Sequence, residues 1–310
     1  MLINIGILLV GFLLLIKGAD FFVEGASNVA KIFKIPAVVI GLTIVAFGTS
    51  APEASVSIQA ALNGSNDIAL SNVIGSNIFN LAVCLGVSSV LVTLPVTKSI
   101  VKKDMPFLIF ISALLMVFSF TDYQINRLEG MILLLLIIAY VGYMVRQVLQ
   151  QDSSEHEEEA SISVLKCMVY IAIGLAGIMY GGDFVVNSAQ SIALTLGLSE
   201  KLVGLTIVSV GTSLPELVTS LVAARKKQVD IAVGNVVGSC IFNVLFILGS
   251  TTSILALNVD PTLMIDLLIS FMIMIVVYLF SFKDYKITRG QGLFLLLMFV
   301  TYLSYIIIRN

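Results

Sequence analysis

The chain has 310 residues, 58% hydrophobic and only 12% charged, with no Trp and a mean hydropathy of +1.07. Soluble domains run at roughly 45–50% apolar and about 25% charged, so this composition excludes a soluble globular protein. Seventeen basic residues against nineteen acidic ones leave a net charge of −2, which excludes a disordered chain and a nucleic-acid binder.

Apolar segments separated by polar breaks fall at 2–24, 36–62, 69–94, 105–121, 129–149, 164–190, 201–223, 230–257, 263–282 and 290–308. A membrane helix needs about 20 apolar residues, and the long runs Ile132–Val145 and Leu263–Phe282 do not alternate as barrel strands would. The pattern predicts an all-α integral membrane protein with ten transmembrane helices. The first segment lacks a basic n-region and has an internal copy later in the chain, so it is read as a mature span and not a signal peptide.

Lys and Arg placement orients these spans. With the N-terminus outside, Lys31, Lys34, Lys98, Lys102, Lys103, Arg146, Lys166, Arg225, Lys226, Lys227, Lys283, Lys286 and Arg289 lie on inner loops. Only Arg127, Lys201 and Arg309 then lie outside, a strong positive-inside bias. The expectation is a multi-pass protein of the cell membrane with both termini extracellular. Its longest hydrophilic connection, Gln147–Ser163, is then a cytoplasmic linker. That linker is acidic, but its carboxylates do not follow EF-hand spacing. Cys84, Cys167 and Cys240 are isolated and His156 stands alone, so neither disulfides nor zinc are suggested.

The linker separates two copies of one pattern. Gly41-Leu-Thr-Ile-Val-Ala-Phe-Gly-Thr-Ser-Ala-Pro-Glu53 recurs as Gly204-Leu-Thr-Ile-Val-Ser-Val-Gly-Thr-Ser-Leu-Pro-Glu216, and Asn72-Val-Ile-Gly-Ser-Asn-Ile-Phe-Asn80 recurs as Asn235-Val-Val-Gly-Ser-Cys-Ile-Phe-Asn243. Both pairs are offset by 163 residues, as are Gly18/Gly181 and Asp20/Asp183, while Arg127/Arg289 and Tyr140/Tyr302 match at 162. The chain therefore divides into a first five-helix repeat (1–146), a linker (147–163) and a second five-helix repeat (164–310). An odd number of spans per copy forces opposite insertion, giving two inverted five-helix repeats of the kind secondary transporters use.

Glu53 and Glu216 fall well inside the second and seventh spans, where an ionised group is expensive and marks a functional site by default. On a continuous helix Ala46, Thr49, Ser50 and Glu53 share one face, as do Ser209, Thr212, Ser213 and Glu216. Asn72, Ser76 and Asn80 recur every fourth residue, as do Asn235, Ser239 and Asn243. Every polar side chain in this set offers oxygen, which suits hard cations such as Ca2+ and Na+ rather than zinc or copper. Pro52 and Pro215 withhold the helical hydrogen bond from the carbonyls of Gly48 and Gly211, so broken helices are expected there. Gly75 and Gly238 read as points of close helix packing. One Ca2+ or about two Na+ would neutralise the two carboxylates, so competition for one shared site is the simplest route to exchange.

The two Gly-Thr-Ser-x-Pro-Glu segments and the two Gly-Ser-x-Ile-Phe-Asn segments resemble the paired α-repeats of the cation/Ca2+ exchanger superfamily, specifically its prokaryotic sodium/calcium exchanger type. The resemblance covers the whole chain. It implies a central diamond of oxygen ligands between spans two, three, seven and eight, with alternating access by sliding of spans one and six. It places Ca2+ ligands on Glu53 and Glu216 with the carbonyls of Thr49 and Thr212. It places Na+ ligands on Ala46, Ser50, Ser76, Ser209, Ser213 and Ser239, and completes the central layer with Asn80 and Asn243. Asn243 stands where potassium-dependent members carry Asp, which argues against a K+ requirement. Cys240 replaces the residue type found at Asn77, outside the implied ligand set.

The expected function is Na+/Ca2+ antiport, with Na+, Ca2+ and the lipid bilayer as partners and no cofactor, nucleic acid or obligate protein partner. H+/Ca2+ antiport on the two glutamates is the alternative; the serines beside each Glu favour sodium. A channel would need a continuous polar pore. An enzyme is not expected, since no Ser/His pair or metal-binding His lies near the carboxylates.

Overall fold

The computed structural model describes residues 1–64, 66–150, 162–197 and 209–309. The helices are α1 (Leu2–Ile32), α2 (Ala37–Thr49), α3 (Ala51–Leu62), α4 (Ile68–Leu91), α5 (Ile100–Thr121), α6 (Arg127–Gln150), α7 (Val164–Thr195), α8 (Ser209–Gly211), α9 (Leu214–Arg225), α10 (Val229–Ile254), α11 (Pro261–Asp284) and α12 (Arg289–Arg309). Among the described residues, eight of them are long and apolar enough to cross a membrane, and α2 with α3, bent by 49° at their break, makes a ninth if the pair is one span. The expected seventh span, 201–223, is described only from Ser209 onward, and His156 with the acidic cluster of the linker lies outside the described residues.

The spans mark the expected segments but run further. α1 continues to Ile32 rather than ending near residue 24, because Ser27 and Asn28 are buried against protein and so do not end the helix at a polar surface. α6 continues to Gln150, past the expected linker boundary at 147, and Ser163 caps α7 by accepting from the Lys166 N–H. Asn126 and Glu129 form a reciprocal capping box at the start of α6, with Thr288 and Gln291 doing the same for α12. Asp260 caps α11; the Thr262 hydroxyl and N–H donate to it and hold its carboxyl below the usual carboxylate range.

The helices sort into a core and a rim. α4 and α10 are buried nearly end to end, whereas α1, α6, α7 and α12 turn most of their apolar length outward. Residues such as Leu9, Leu13, Leu135, Ile138, Leu165, Ile173 and Leu297 are exposed on this rim. In water such a surface would drive aggregation; in a bilayer it is the lipid-facing wall. α1 and α7 pack antiparallel through small residues. A Cβ on Gly18 would lie 2.7 Å from the Ile178 nitrogen, so only glycine permits this approach.

Among the described residues, four two-residue strands tie the loops together. β1 (Leu94–Pro95), after α4, pairs antiparallel with β4 (Lys286–Ile287), before α12. β2 (Gln124–Ile125), before α6, pairs with β3 (Leu257–Asn258), after α10. The chain stretches that correspond in sequence thus exchange partners: each half's strand after its third span pairs with the other half's strand after its fourth.

Candidate functional site

The site is built where α2 breaks into α3 and where α8 gives way to α9. Ser50 leaves helical geometry (φ −84°, ψ 6°), and α3 starts at Ala51 with Pro52 in its first turn, where a missing N–H removes no bond. Ser213 (φ −95°, ψ 6°) and Pro215 repeat this at α9. The stripe of Ala46, Thr49, Ser50 and Glu53 is therefore bent at its middle, at the break Pro52 leads one to expect, which sets Thr49 and Glu53 on separate helical pieces. Each Glu falls in the first turn of a new helix, whose free N–H groups and dipole favour a carboxylate.

The two halves then interlock. Ser50 Oγ donates to Glu216 Oε1 at 2.9 Å, and Ser213 Oγ donates to Glu53 Oε1 at 3.0 Å. Thr49 Oγ1 donates to Asn235 Oδ1 at 3.1 Å, and Thr212 Oγ1 to Asn72 Oδ1 at 3.4 Å. Within each half, Asn72 Nδ2 donates to Ser57 Oγ (2.9 Å) and to the Glu53 carbonyl (3.3 Å). Asn235 Nδ2 does the same to Ser220 Oγ (2.9 Å) and the Glu216 carbonyl (3.4 Å). Every one of these bonds has a counterpart at the 163-residue offset.

Ser76 and Asn80 come from α4, and Ser239 and Asn243 from α10; Asn80 and Asn243 each open a π-helical stretch, the local widening that often marks functional positions. Ala46, packed on α10, is buried with them. Ser209 begins α8, but its side chain lies outside the described residues. Glu53 and Glu216 are both 0% exposed. Six buried atoms of this group have no hydrogen-bond partner among the described residues: Oε2 of both glutamates, the hydroxyls of Ser76 and Ser239, Asn80 Nδ2 and Asn243 Oδ1. Buried polar atoms are normally satisfied. Orphans gathered on the expected ligand residues point to an exogenous ligand, and five of the six can offer an oxygen lone pair to a cation.

Asn72 and Asn235, which the sequence places in the oxygen-bearing stripes, serve as supports rather than as members of the expected ligand set; the partners Ser57 and Ser220 and the anchor Asn77 (Asn243 Nδ2 to Asn77 Oδ1, 3.1 Å) are what sequence reasoning missed. The signal was present: Ser57 and Ser220 stand four residues after each Glu, at the same 163-residue offset. Gly238 fulfils its expected packing role, since a Cβ there would lie 2.6 Å from the Leu42 carbonyl.

One side of the site is reached by a cavity of about 360 Å³ lined by Asn72, Gly75, Thr212, Asp266, Tyr302 and Arg309. Arg309 grips Asp266 with two bonds, 3.1 and 3.0 Å, so the carboxylate is compensated there. At corresponding positions of the other half a cavity of about 500 Å³ is lined by Phe47, Phe242, Phe246, Gly238 and Tyr140, and includes none of the interlocking side chains. Phe47 and Phe242 meet edge to face at 4.9 Å, while Phe242 and Phe246 stack at 4.6 Å. The Thr212–Asn72 pair therefore borders a cavity, whereas Thr49 and Asn235 are fully buried.

Comparison with known proteins agrees with this arrangement. The family described as "Sodium/calcium exchanger protein" matches residues 3–146 and 166–308. The chain is 31% identical over 341 residues to the sodium/calcium exchanger MaX1 of Methanosarcina acetivorans, covering 97% of each protein. It is 34% identical over 270 residues to the inner membrane protein YrbG of Escherichia coli, covering 84% of this chain and 83% of that one. Its structure resembles that of the sodium-calcium exchanger NCX_Mj with a TM-score of 0.87 at 30% identity, over 98% of this chain and 99% of that one. These relatives include transporters and the fold is theirs, so the chain is a multi-pass membrane transporter and not an enzyme. It belongs to the sodium/calcium exchanger family, within the cation/Ca2+ exchanger superfamily and of its prokaryotic type.

Proposed function

We propose that this antiporter moves Na+ against Ca2+ through one site shared by both ions, with Glu53 and Glu216 as the common carboxylates. The observation that carries the reading is the crossed pair of hydrogen bonds, Ser50 to Glu216 and Ser213 to Glu53, with the second oxygen of each buried carboxylate left unpartnered. Ca2+ takes six to eight oxygens, at about 2.3–2.6 Å. The two carboxylates, the Thr49 and Thr212 carbonyls and the amides of Asn80 and Asn243 supply such a set. Na+ is assigned to the same carboxylates with Ala46, Ser50, Ser76, Ser209, Ser213 and Ser239.

The architecture is read as ten helices in two inverted five-helix repeats, 1–146 and 164–310, joined by a cytoplasmic linker. Three features support it: the reciprocal hydrogen bonds at a constant offset, the exchanged strand pairs β1–β4 and β2–β3, and the two separate stretches matched by the family. With both termini outside, the cavity bordering Asn72 and Thr212 opens outward. α1 and α7, held to each other through their small residues, are the pair assigned to slide past the core.

The test is radiolabelled Ca2+ uptake into proteoliposomes loaded with Na+ and diluted into Na+-free buffer, beside K+-loaded and pH-gradient controls. Uptake only under the outward Na+ gradient is expected. Uptake driven by the pH gradient instead would assign proton coupling, leaving the glutamates as carriers and the serines as structural.

A further inference from the structure

At the centre of the site the two halves differ. Asn80 corresponds to Asn243 and Asn77 to Cys240, both at the 163-residue offset. Asn243 Nδ2 is fixed by Asn77 Oδ1 at 3.1 Å, and its own Oδ1 is buried without a partner among the described residues. That amide is thus held with its nitrogen on Asn77 and its carbonyl oxygen free for a cation. The equivalent bond from Asn80 would need a side-chain carbonyl at position 240, and a thiol has none. Among the described residues, Cys240 Sγ donates to the Asn77 backbone carbonyl, at 4.0 Å. Asn80 instead accepts a thiol hydrogen from Cys84 on Oδ1 at 3.4 Å, a weak bond, and its Nδ2 is buried with no acceptor among the described residues. A cation beside Asn80 needs the oxygen, and that oxygen is the atom the Cys84 thiol engages.

We propose that Cys240 is a positioning residue that lowers cation affinity: by withholding the acceptor that Asn77 gives Asn243, it leaves the Asn80 amide unanchored. Asn80, held only by the weak thiol bond from Cys84, must then be ordered each time an ion binds, whereas Asn243 is preorganised. Preorganisation raises affinity by removing such reordering. The inference rests on the proposed site, and it makes one central ligand fixed and the other adjustable.

Equilibrium 45Ca2+ binding to the purified full-length protein in Na+-free detergent buffer tests this independently of which ion drives exchange. Cys240→Asn supplies the missing carbonyl and is expected to lower the Ca2+ Kd about fivefold, the worth of one neutral hydrogen bond. Cys240→Ala supplies none and stays within about twofold of the parent. Asn77→Cys releases Asn243 and raises Kd about fivefold, and the Asn77→Cys/Cys240→Asn double variant, the same arrangement with the halves exchanged, returns to the parent value. A residue acting only through packing would not be restored by that swap. Equal Kd values for Cys240→Asn and Cys240→Ala would overturn the inference, as would an unrestored swap. If Cys240→Asn does not fold, an unchanged Kd in Asn77→Cys overturns it alone. A parent protein that binds no Ca2+ would instead remove the proposed site, and this inference with it.

Discussion

Replacing Glu53 by Gln removes one charge and almost nothing else. Gln keeps an oxygen to accept the 3.0 Å bond from Ser213, and its amide nitrogen takes the place of Oε2, which has no partner to lose among the described residues. With effective screening of about 20 and a separation of about 4 Å, one carboxylate attracts a monovalent ion by about 4 kcal/mol and a divalent one by about 8 kcal/mol. The variant also buries one charge fewer, which recovers part of that loss in the empty protein. Allowing about half for this recovery leaves about 4 kcal/mol for Ca2+, close to 1,000-fold in Kd. Calorimetric titration of the purified variant should therefore show no Ca2+ binding at micromolar to low millimolar concentrations, and proteoliposomes should show no Ca2+ uptake. The ion-free variant should unfold a few degrees higher than the parent, because two like charges no longer share a buried site (both residues are 0% exposed). Glu216→Gln should behave alike. Normal uptake by either variant would refute the shared-site reasoning.

The matching amides test the one-sided cavity. Asn235→Ala leaves Thr49 on the Val45 and Ala46 carbonyls and Ser220 on the Ala232 carbonyl, but it opens a sealed cavity and removes three hydrogen bonds, so it should cost about 2–3 kcal/mol of stability, whereas water entering beside Asn72 limits Asn72→Ala to about 1 kcal/mol; equal losses in detergent unfolding would refute the asymmetry. Gly174→Ala places a Cβ 2.5 Å from the Phe22 nitrogen and should largely abolish folded protein by size-exclusion chromatography, while Gly142→Ala, with nothing within 4 Å, should be neutral. Lys226 joins the end of α9 to Asp20 (2.7 Å) and Glu24 (3.2 Å) of α1, with side chains 30–40% exposed. Such a pair is worth at most about 1 kcal/mol, so Lys226→Met should change turnover by no more than about fivefold and leave Ca2+ binding intact; abolished binding would place Lys226 in the site.

Motif spacing located the ligand helices because helix periodicity and a 163-residue repeat are properties of the sequence itself. Across the halves, Ser50 reaches Glu216 and Ser213 reaches Glu53. What spacing could not supply was which half answers which. Ser50 serves Glu216 rather than the glutamate three residues ahead of it, because the break at Ser50 turns that face toward the other half. A proline announces such a break, but the angle of 49° comes from packing. The expected first span ends near residue 24, but Ser27 and Asn28 beyond it are buried and α1 runs on to Ile32. The strand pairs were invisible, since two-residue ladders such as Leu94–Pro95 with Lys286–Ile287 carry no period.

Exchange without leak needs an empty carrier that cannot cross and two loaded states of nearly equal energy. The first requirement follows from charge: with no ion, two carboxylates would have to rearrange inside a low-dielectric core, while one Ca2+ or two Na+ cancel them. The second follows from duplication. Thr49–Asn235 is sealed and Thr212–Asn72 borders the cavity, yet the two are the same hydrogen bond between corresponding residues. On the proposed inverted repeat, the opposite-facing state seals the second pair and opens the first, so packing that loosens on one side re-forms on the other. Departures from that symmetry then set which state the empty or loaded protein prefers. Phe47 and Phe246 against Val210 and Val83, and Lys226 against Asn63, are such departures on the α2, α10 and α9 side. On the proposed site and inverted repeat, a single copy of the motif would hold a cation with one carboxylate and have no mirrored state to move into, so transport, unlike binding, would need both halves.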